Sequence, residues 1–187
     1  VAYNQKRNLA NGHDNTDGMT DNLSWNCGWE GDEGAPSEVV QLRKQQVKNF
    51  SCLIFLSNGT PMFRAGDEFM HTQAGNNNPY NQDNEVGWMD WGRLHTYPDM
   101  FRFFKQMIAF RKAHPSIHRM TYWREDVHWY GASGPVEFSP DSRTLAYCLR
   151  GQSQNDNDLY VMVNAYWADV DFAIQESYGW RRVIDTS

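Results

Sequence analysis

Residues 1–36 carry almost no periodic apolar pattern. Asn11-Gly12, Asp17-Gly18, Asp21-Asn22, Gly28, Gly31 and Gly34 follow one another closely and predict turn after turn. A stretch this long is either disordered or a functional loop ordered by its surroundings. Trp25 and Trp29 favour order, since disordered segments are poor in aromatics. From Ser37 to Leu56 the pattern turns helical. Val39, Val40, Leu42, Val47, Phe50, Leu53 and Ile54 recur at three-and-four spacing, Ser37 is the expected N-cap, and Asn58-Gly59 the stop.

Pro61–Ala65 then reads as a short strand beginning at its proline. Helix, turn and strand make half of a β/α repeat. Residues 66–97 form a second long loop at the strand's carboxyl end, where parallel α/β folds bind ligands. Thr96 is the expected cap of a second helix, with Pro98 in its first turn. Met100, Phe101, Phe104, Met107 and Ile108 mark its repeat as core, and His114-Pro115 ends it. Beyond Pro115 the helical period vanishes. Short runs at 127–130, 136–138, 145–149, 159–163, 170–174 and 180–184, separated by turn signals that include Tyr178-Gly179, predict an antiparallel β module. The division falls at 1–115 and 116–187.

Composition narrows the ligand class. Aromatics reach 14%, with eight Trp, beside sixteen Asn and ten Gln. Such a surface can stack on and hydrogen-bond to neutral polyhydroxylated ligands. The net charge of −6 and the absence of a basic stripe argue against nucleic acid. Cys52–Leu56, the longest apolar run, is far short of the roughly 20 residues that span a bilayer, so no membrane is expected. Cys27, Cys52 and Cys148 lack CxxC spacing and read as reduced thiols, which points to the cytoplasm. Asp14, Asn15 and Asp17-Gly18 only partly match a calcium loop, and no metal or other cofactor is expected. The sequons at Asn22, Asn49 and Asn58 are near chance for a chain this rich in Asn.

Several motifs together carry a family resemblance. Gly59-Thr60-Pro61-Met62-Phe63-Arg64-Ala65-Gly66-Asp67-Glu68-Phe69 resembles the eighth-strand segment of the α-amylase superfamily. Gly75–Asn84, Trp88-Met89-Asp90-Trp91, Tyr3–Gly12, Asp17-Gly18 and Asn164-Ala165-Tyr166-Trp167 resemble its glycogen-debranching, isoamylase-type branch. The resemblance runs along essentially the whole chain and admits isoamylase, pullulanase and maltooligosyltrehalose hydrolase types alike. It implies the last β/α units of a (β/α)8 TIM barrel followed by a C-terminal antiparallel β-sandwich, both incomplete. It also implies retaining hydrolysis of α-1,6 branch linkages in glycogen or branched dextrin, by a carboxylate nucleophile and a carboxylic acid about 5 Å apart.

In that family the nucleophile and acid follow strands four and five, and a third Asp follows strand seven in a His-Asp pair. His13-Asp14 has no apolar strand before it and reads as a loop pair. A complete barrel takes roughly 250 residues. The expectation is therefore a C-terminal fragment without the catalytic triad, inactive alone. Its truncated barrel would expose edges through which copies could associate.

The candidate substrate-binding residues are Asp67, Glu68, Asn76, Asn77, Asn78, Tyr80 and Trp88. Asp67 and Glu68 can orient sugar hydroxyls or a catalytic arginine, or serve as structural carboxylates at a turn. Adjacent residues point to opposite sides of a strand, so one of the two is expected in the cleft. Each Asn amide both donates and accepts, which suits glucose hydroxyls and equally a turn cluster. Tyr80, Trp88, Trp91, Trp25 and Trp29 can stack on pyranose rings or pack to fix their loops. The alternatives to an enzyme fragment are a non-catalytic glycan-binding module and a structural one.

Overall fold

The computed structural model describes residues 2–21, 23–176 and 179–187. The sequon at Asn22 and the Tyr178 half of one predicted turn lie outside them. The chain divides into two compact units. The first comprises residues 1–55, 61–108 and 186–187; the second comprises 56–60 and 109–185.

In the first unit the expected helix is present as α1, Ser37–Leu56. Ser37 occupies the first helical position, with its Oγ bonded to Glu38, while the Pro36 carbonyl accepts the Val40 amide at 3.1 Å. A one-turn helix α2, Arg93–Thr96, precedes α3, Pro98–Ala113. Thr96 therefore closes α2, its Oγ1 donating back to Gly92, rather than capping α3. Pro98 starts α3, where its missing N–H costs nothing. Lys44 of α1 pairs with Asp99 of α3 at 3.0 Å. Phe55, Phe63 and Phe104 meet in a triangle with centroids 5.4–6.0 Å apart, edge-on or tilted as ring quadrupoles prefer. Met100, Phe104 and Met107 are buried as the period of α3 requires, whereas Phe101 and Ile108 remain exposed.

Pro61–Ala65 forms no ladder among the described residues, and Ala65 already belongs to the following turn. A strand exists only by its partners' N–H and C=O groups; here the Phe63 ring packs the segment against Phe55 of α1 and Phe104 of α3. No parallel sheet forms among the described residues.

The second unit holds α4, Pro115–His118, and an antiparallel sheet of β1 (Val127–Tyr130), β2 (Thr144–Leu149) and β3 (Leu159–Asn164), in that order. Val127 pairs with Leu149, and Leu149 with Leu159. The central strand is the core, with Ala146, Tyr147, Cys148 and Leu149 all buried. Tyr147 donates its hydroxyl to the Leu56 carbonyl at 2.9 Å, and Arg111 donates to the carbonyls of Ser57 and Gly59, which draws 56–60 into this unit. Asp156 accepts from the Ser116 amide and hydroxyl and pairs with His114 at 2.8 Å.

Segments 136–138, 170–174 and 180–184, expected as strands, form no ladder among the described residues. The first is replaced by a single bridge from Tyr130 to Pro135. The second is tied by the Ala173 amide to Ala132 at 2.8 Å. All three cysteines are free, and among the described residues no helix is long and apolar enough to cross a membrane.

Candidate functional site

The two long loops of the first unit order each other through a seam of amides. Asn8, Asn11 and Asn76 are buried. The Asn8 side chain donates to Asn77 Oδ1 at 2.8 Å and accepts from the Asn77 backbone amide at 3.0 Å. Asn76 donates to Asn11 Oδ1 at 2.8 Å, and Asn11 donates to Asp17 Oδ2 at 2.7 Å and to the Asn78 carbonyl at 2.9 Å. Asn78 reaches the same Asp17 oxygen at 3.0 Å, and Asn81 and Gln82 bond to the carbonyls of Asn11 and Ala10. These donations, Asn11 first, hold the Asp17 carboxyl below its ordinary range. Gly18 lies where the seam crosses. A Cβ there would stand 2.2 Å from Asn77 Oδ1, so only glycine lets the loops meet.

A second anchor is Arg43 of α1, only 2% exposed. Its guanidinium donates to the carbonyls of Asn26, Trp29 and Gly31 and pairs with Asp32 at 3.3 Å. Glu30 adds a carboxylate that accepts the amides of Asn4 at 2.9 Å and Gln5 at 3.1 Å. These contacts order a segment whose own residues specify only turns.

The anchored loops border a cavity of 560 Å³ lined by Tyr3, Phe63, Asp67, His71, Arg93 and Tyr97, among others. Asp67 and Glu68 open a one-turn 3-10 segment, Asp67–Phe69, that follows Gly66 at φ +99°. Asp67 Oδ2 accepts the Arg64 amide at 3.0 Å, and Glu68 Oε2 accepts the Gly66 amide at 2.8 Å. Of the two, Asp67 lines the cavity. Burial pushes its pKa up, and burial followed by the charges of Arg64 and Arg93 pushes His71 down. The wall therefore favours a neutral imidazole beside a weakly acidic carboxylate. His71 Nδ1 and Arg93 Nε are buried without a hydrogen-bond partner among the described residues. Aromatic faces with interleaved donors and acceptors suit a neutral polyol.

The other candidates sit apart from this corner. Asn76 and Asn77 line the cavity, but their carboxamides are engaged in the seam. Tyr80 is exposed, and its hydroxyl bonds to His13 Nε2 at 2.9 Å with the rings stacked. Trp88 is exposed and donates its indole N–H to Asp83 at 2.9 Å. Trp91 packs on Phe69 with centroids 5.6 Å apart, and the Trp29 indole bonds to the Glu33 carbonyl. Sequence reasoning missed Asn8, Asn11, Arg43, His71 and Arg93. Among the described residues no group of three His, Cys, Asp or Glu side chains could hold a metal ion.

No protein-family model matches the chain. It is 38% identical over its full length to isoamylase 1 of Oryza sativa, covering 23% of that protein, and 39% identical to isoamylase SU1 of Zea mays, covering 24%. The glycogen operon protein GlgX homologue of Mycobacterium tuberculosis is 34% identical over the full chain, which covers 30% of that protein. An apo pullulanase structure from Paenibacillus barengoltzii superposes with a TM-score of 0.59 at 31% identity, over 73% of this chain and 20% of that one. The chain is thus homologous to debranching-type glycoside hydrolases of the α-amylase superfamily. Within them its sequence relatives are isoamylases and glycogen-operon proteins, and it spans about a quarter of the length of the curated relatives it matches.

Proposed function

We propose that this chain is one wall of the α-glucan cleft of a debranching enzyme, one that hydrolyses α-1,6 branch linkages of glycogen or branched dextrin by a retaining two-carboxylate mechanism. The observation that carries the reading is Asp67. It is a half-buried carboxylate with a raised pKa on a turn that lines a cavity walled by aromatics and by the unpartnered His71 Nδ1 and Arg93 Nε. Similarity to isoamylases along the whole chain supports an α-glucan as the substrate class. In this reading Pro61–Ala65 is the eighth barrel strand, α1 and α3 are the flanking barrel helices, and the three-stranded sheet begins a β-sandwich.

Retaining chemistry takes two carboxyl groups facing one glycosidic bond. Asp67 and Glu68 each accept a backbone amide of their own turn. The chain by itself is accordingly catalytically silent, and its exposed Phe50 and Leu53 on α1 are surfaces through which copies could pair. The three free thiols favour a reducing, cytoplasmic setting.

Maltotetraose titrated against the chain, followed by NMR, tests the reading. The Asp67 and His71 resonances should shift, and Asp67→Ala should weaken binding by roughly tenfold, as the loss of a charge-assisted hydrogen bond predicts. Unmoved resonances at millimolar sugar would remove the cleft assignment. Release of reducing ends from glycogen or pullulan by the chain alone would overturn the silence. The second reading, a glycan-binding module, is favoured by the exposed Tyr80 and Trp88. It predicts that Tyr80→Ala costs more affinity than Asp67→Ala.

A further inference from the structure

The second unit carries an aromatic pair that the cleft does not use. Tyr166 and Trp167 follow β3 directly, with ring centroids 3.8 Å apart and planes inclined by 31°. Trp167 is 85% exposed and Tyr166 42%. Leaving two adjacent rings in water forgoes the burial that normally stabilises aromatics. The loop is nonetheless fixed. Asn164 Oδ1 accepts the Tyr166 amide at 2.8 Å while its Nδ2 donates to the Ala168 carbonyl at 2.9 Å, so one side chain brackets the pair from both ends. The Ala165 amide donates to the Arg143 carbonyl at 2.7 Å, anchoring the loop to the residue that precedes β2.

The polar edges of the two rings are open as well. The indoles of Trp29, Trp88, Trp123 and Trp180 each donate to a protein acceptor. Neither the Trp167 N–H nor the Tyr166 hydroxyl has such a partner among the described residues. The pair therefore offers apolar faces with a free donor and a free hydroxyl at their rims, on a backbone ordered before any ligand arrives.

We propose that Tyr166 and Trp167 form a second, non-catalytic glucan-binding platform, which takes a neutral α-glucan chain by stacking pyranose C–H faces on the rings. Uncharged polyol chemistry fits best. The exposed Asp169 and Asp171 that follow, and the net charge of −6, oppose an anionic polymer. A pyranose presents an apolar face and a hydroxyl rim, the same alternation that the pair displays. Because the loop is pre-ordered, binding sacrifices little conformational freedom.

Gel electrophoresis of the 187-residue chain through glycogen, with Trp167→Ala, Trp167→Phe, Asn164→Ala and Asp67→Ala, tests the platform. The chain should be retarded, and Trp167→Ala should raise the apparent Kd by roughly tenfold. Trp167→Phe, which keeps a ring, should lie between the two. Asn164→Ala should weaken binding in proportion to the order it removes. Trp167 is so exposed that its loss leaves the fold intact, which an unchanged melting temperature verifies. Retardation unaltered by Trp167→Ala overturns the platform. So does the absence of retardation in the parent chain. Retardation abolished by Asp67→Ala alone would keep the cleft and eliminate the platform. The converse would keep the platform and eliminate the cleft.

Discussion

Asn8 and Asn77 are joined by two hydrogen bonds of opposite sense. The Asn8 amide donates to the Asn77 side-chain oxygen, and the Asn77 backbone donates to the Asn8 side-chain oxygen. Sixty-nine positions separate the partners, and Asn8 is fully buried. The contact fastens one long loop to another, each with no more than a single 3-10 turn of its own before the one-turn helix α2.

Asn8→Ala should destabilise the first unit by about 2 kcal/mol, since it leaves buried groups without partners. Asn8→Asp should do the same at pH 7 for a different reason. An ionised carboxylate there would face the Asp17 carbonyl and Asn77 Oδ1, both acceptors. Its folded pKa would be raised, so stability should return as the pH is lowered through that value. Urea unfolding at pH 7 and pH 4 separates the variants: only Asn8→Asp should recover.

Gly12 and Gly18 provide a matched pair. Both hold positive φ, +80° and +70°, but a Cβ on Gly12 meets nothing within 4 Å, whereas one on Gly18 would collide with the seam. Gly12→Ala should cost about 1 kcal/mol from backbone strain alone. Gly18→Ala should cost clearly more and raise hydrogen exchange at Asn77. Equal costs would contradict the close approach.

Arg43→Lys should release the loop around Asn26–Asp32. A lysine ammonium cannot reproduce a planar fork that reaches three carbonyls and a carboxylate. A loss of about 2 kcal/mol is expected, chiefly from the unmet carbonyls. Faster proteolysis near Trp29 should accompany it.

Alkali should loosen the second unit through Tyr130. Its hydroxyl donates to Glu176 at 2.6 Å, and this bond, followed by burial, pushes its pKa up to about 12. A raised folded pKa means that the stabilisation is complete below pH 10, the ordinary value, and is lost as the pH rises towards 12. Tyr130→Phe should flatten the decline between pH 10 and 12. The part between pH 9 and 11 should persist, because burial raises Cys148 of the central strand to about 11. Thermal melts across this range measure both.

Legibility followed locality. The bounds of α1 could be read because the apolar spacing lies within the helix's own twenty residues and the Asn58-Gly59 stop directly beyond them. Pro61–Ala65 could not, because strand identity depends on neighbours that segment does not carry. The asparagines stood out in the composition, but amides that bind a sugar and amides that bind each other use the same donors and acceptors. Arg43 stands beside Lys44 in a helical stretch, with no spacing signal to set it apart. Its burial arises from the fold of residues 26–32 over it. His71 carried no spacing signal at all, and its place in the cavity wall follows from the turn at Gly66.

The seam between the loops is built almost wholly of neutral carboxamides, and this sets its response to the medium. Ions at physiological strength screen charges over about 8 Å and weaken surface ion pairs. Carboxamide pairs present no net charge to screen and, Asp17 apart, no proton to gain or lose. The seam, unlike the Arg43–Asp32 and Glu30 anchors, should therefore hold its geometry across salt concentrations that dissolve charged clasps such as Lys44–Asp99. The carboxamide seam is thus insulated from salt, while Asp67 and His71 in the cavity wall remain groups that register pH.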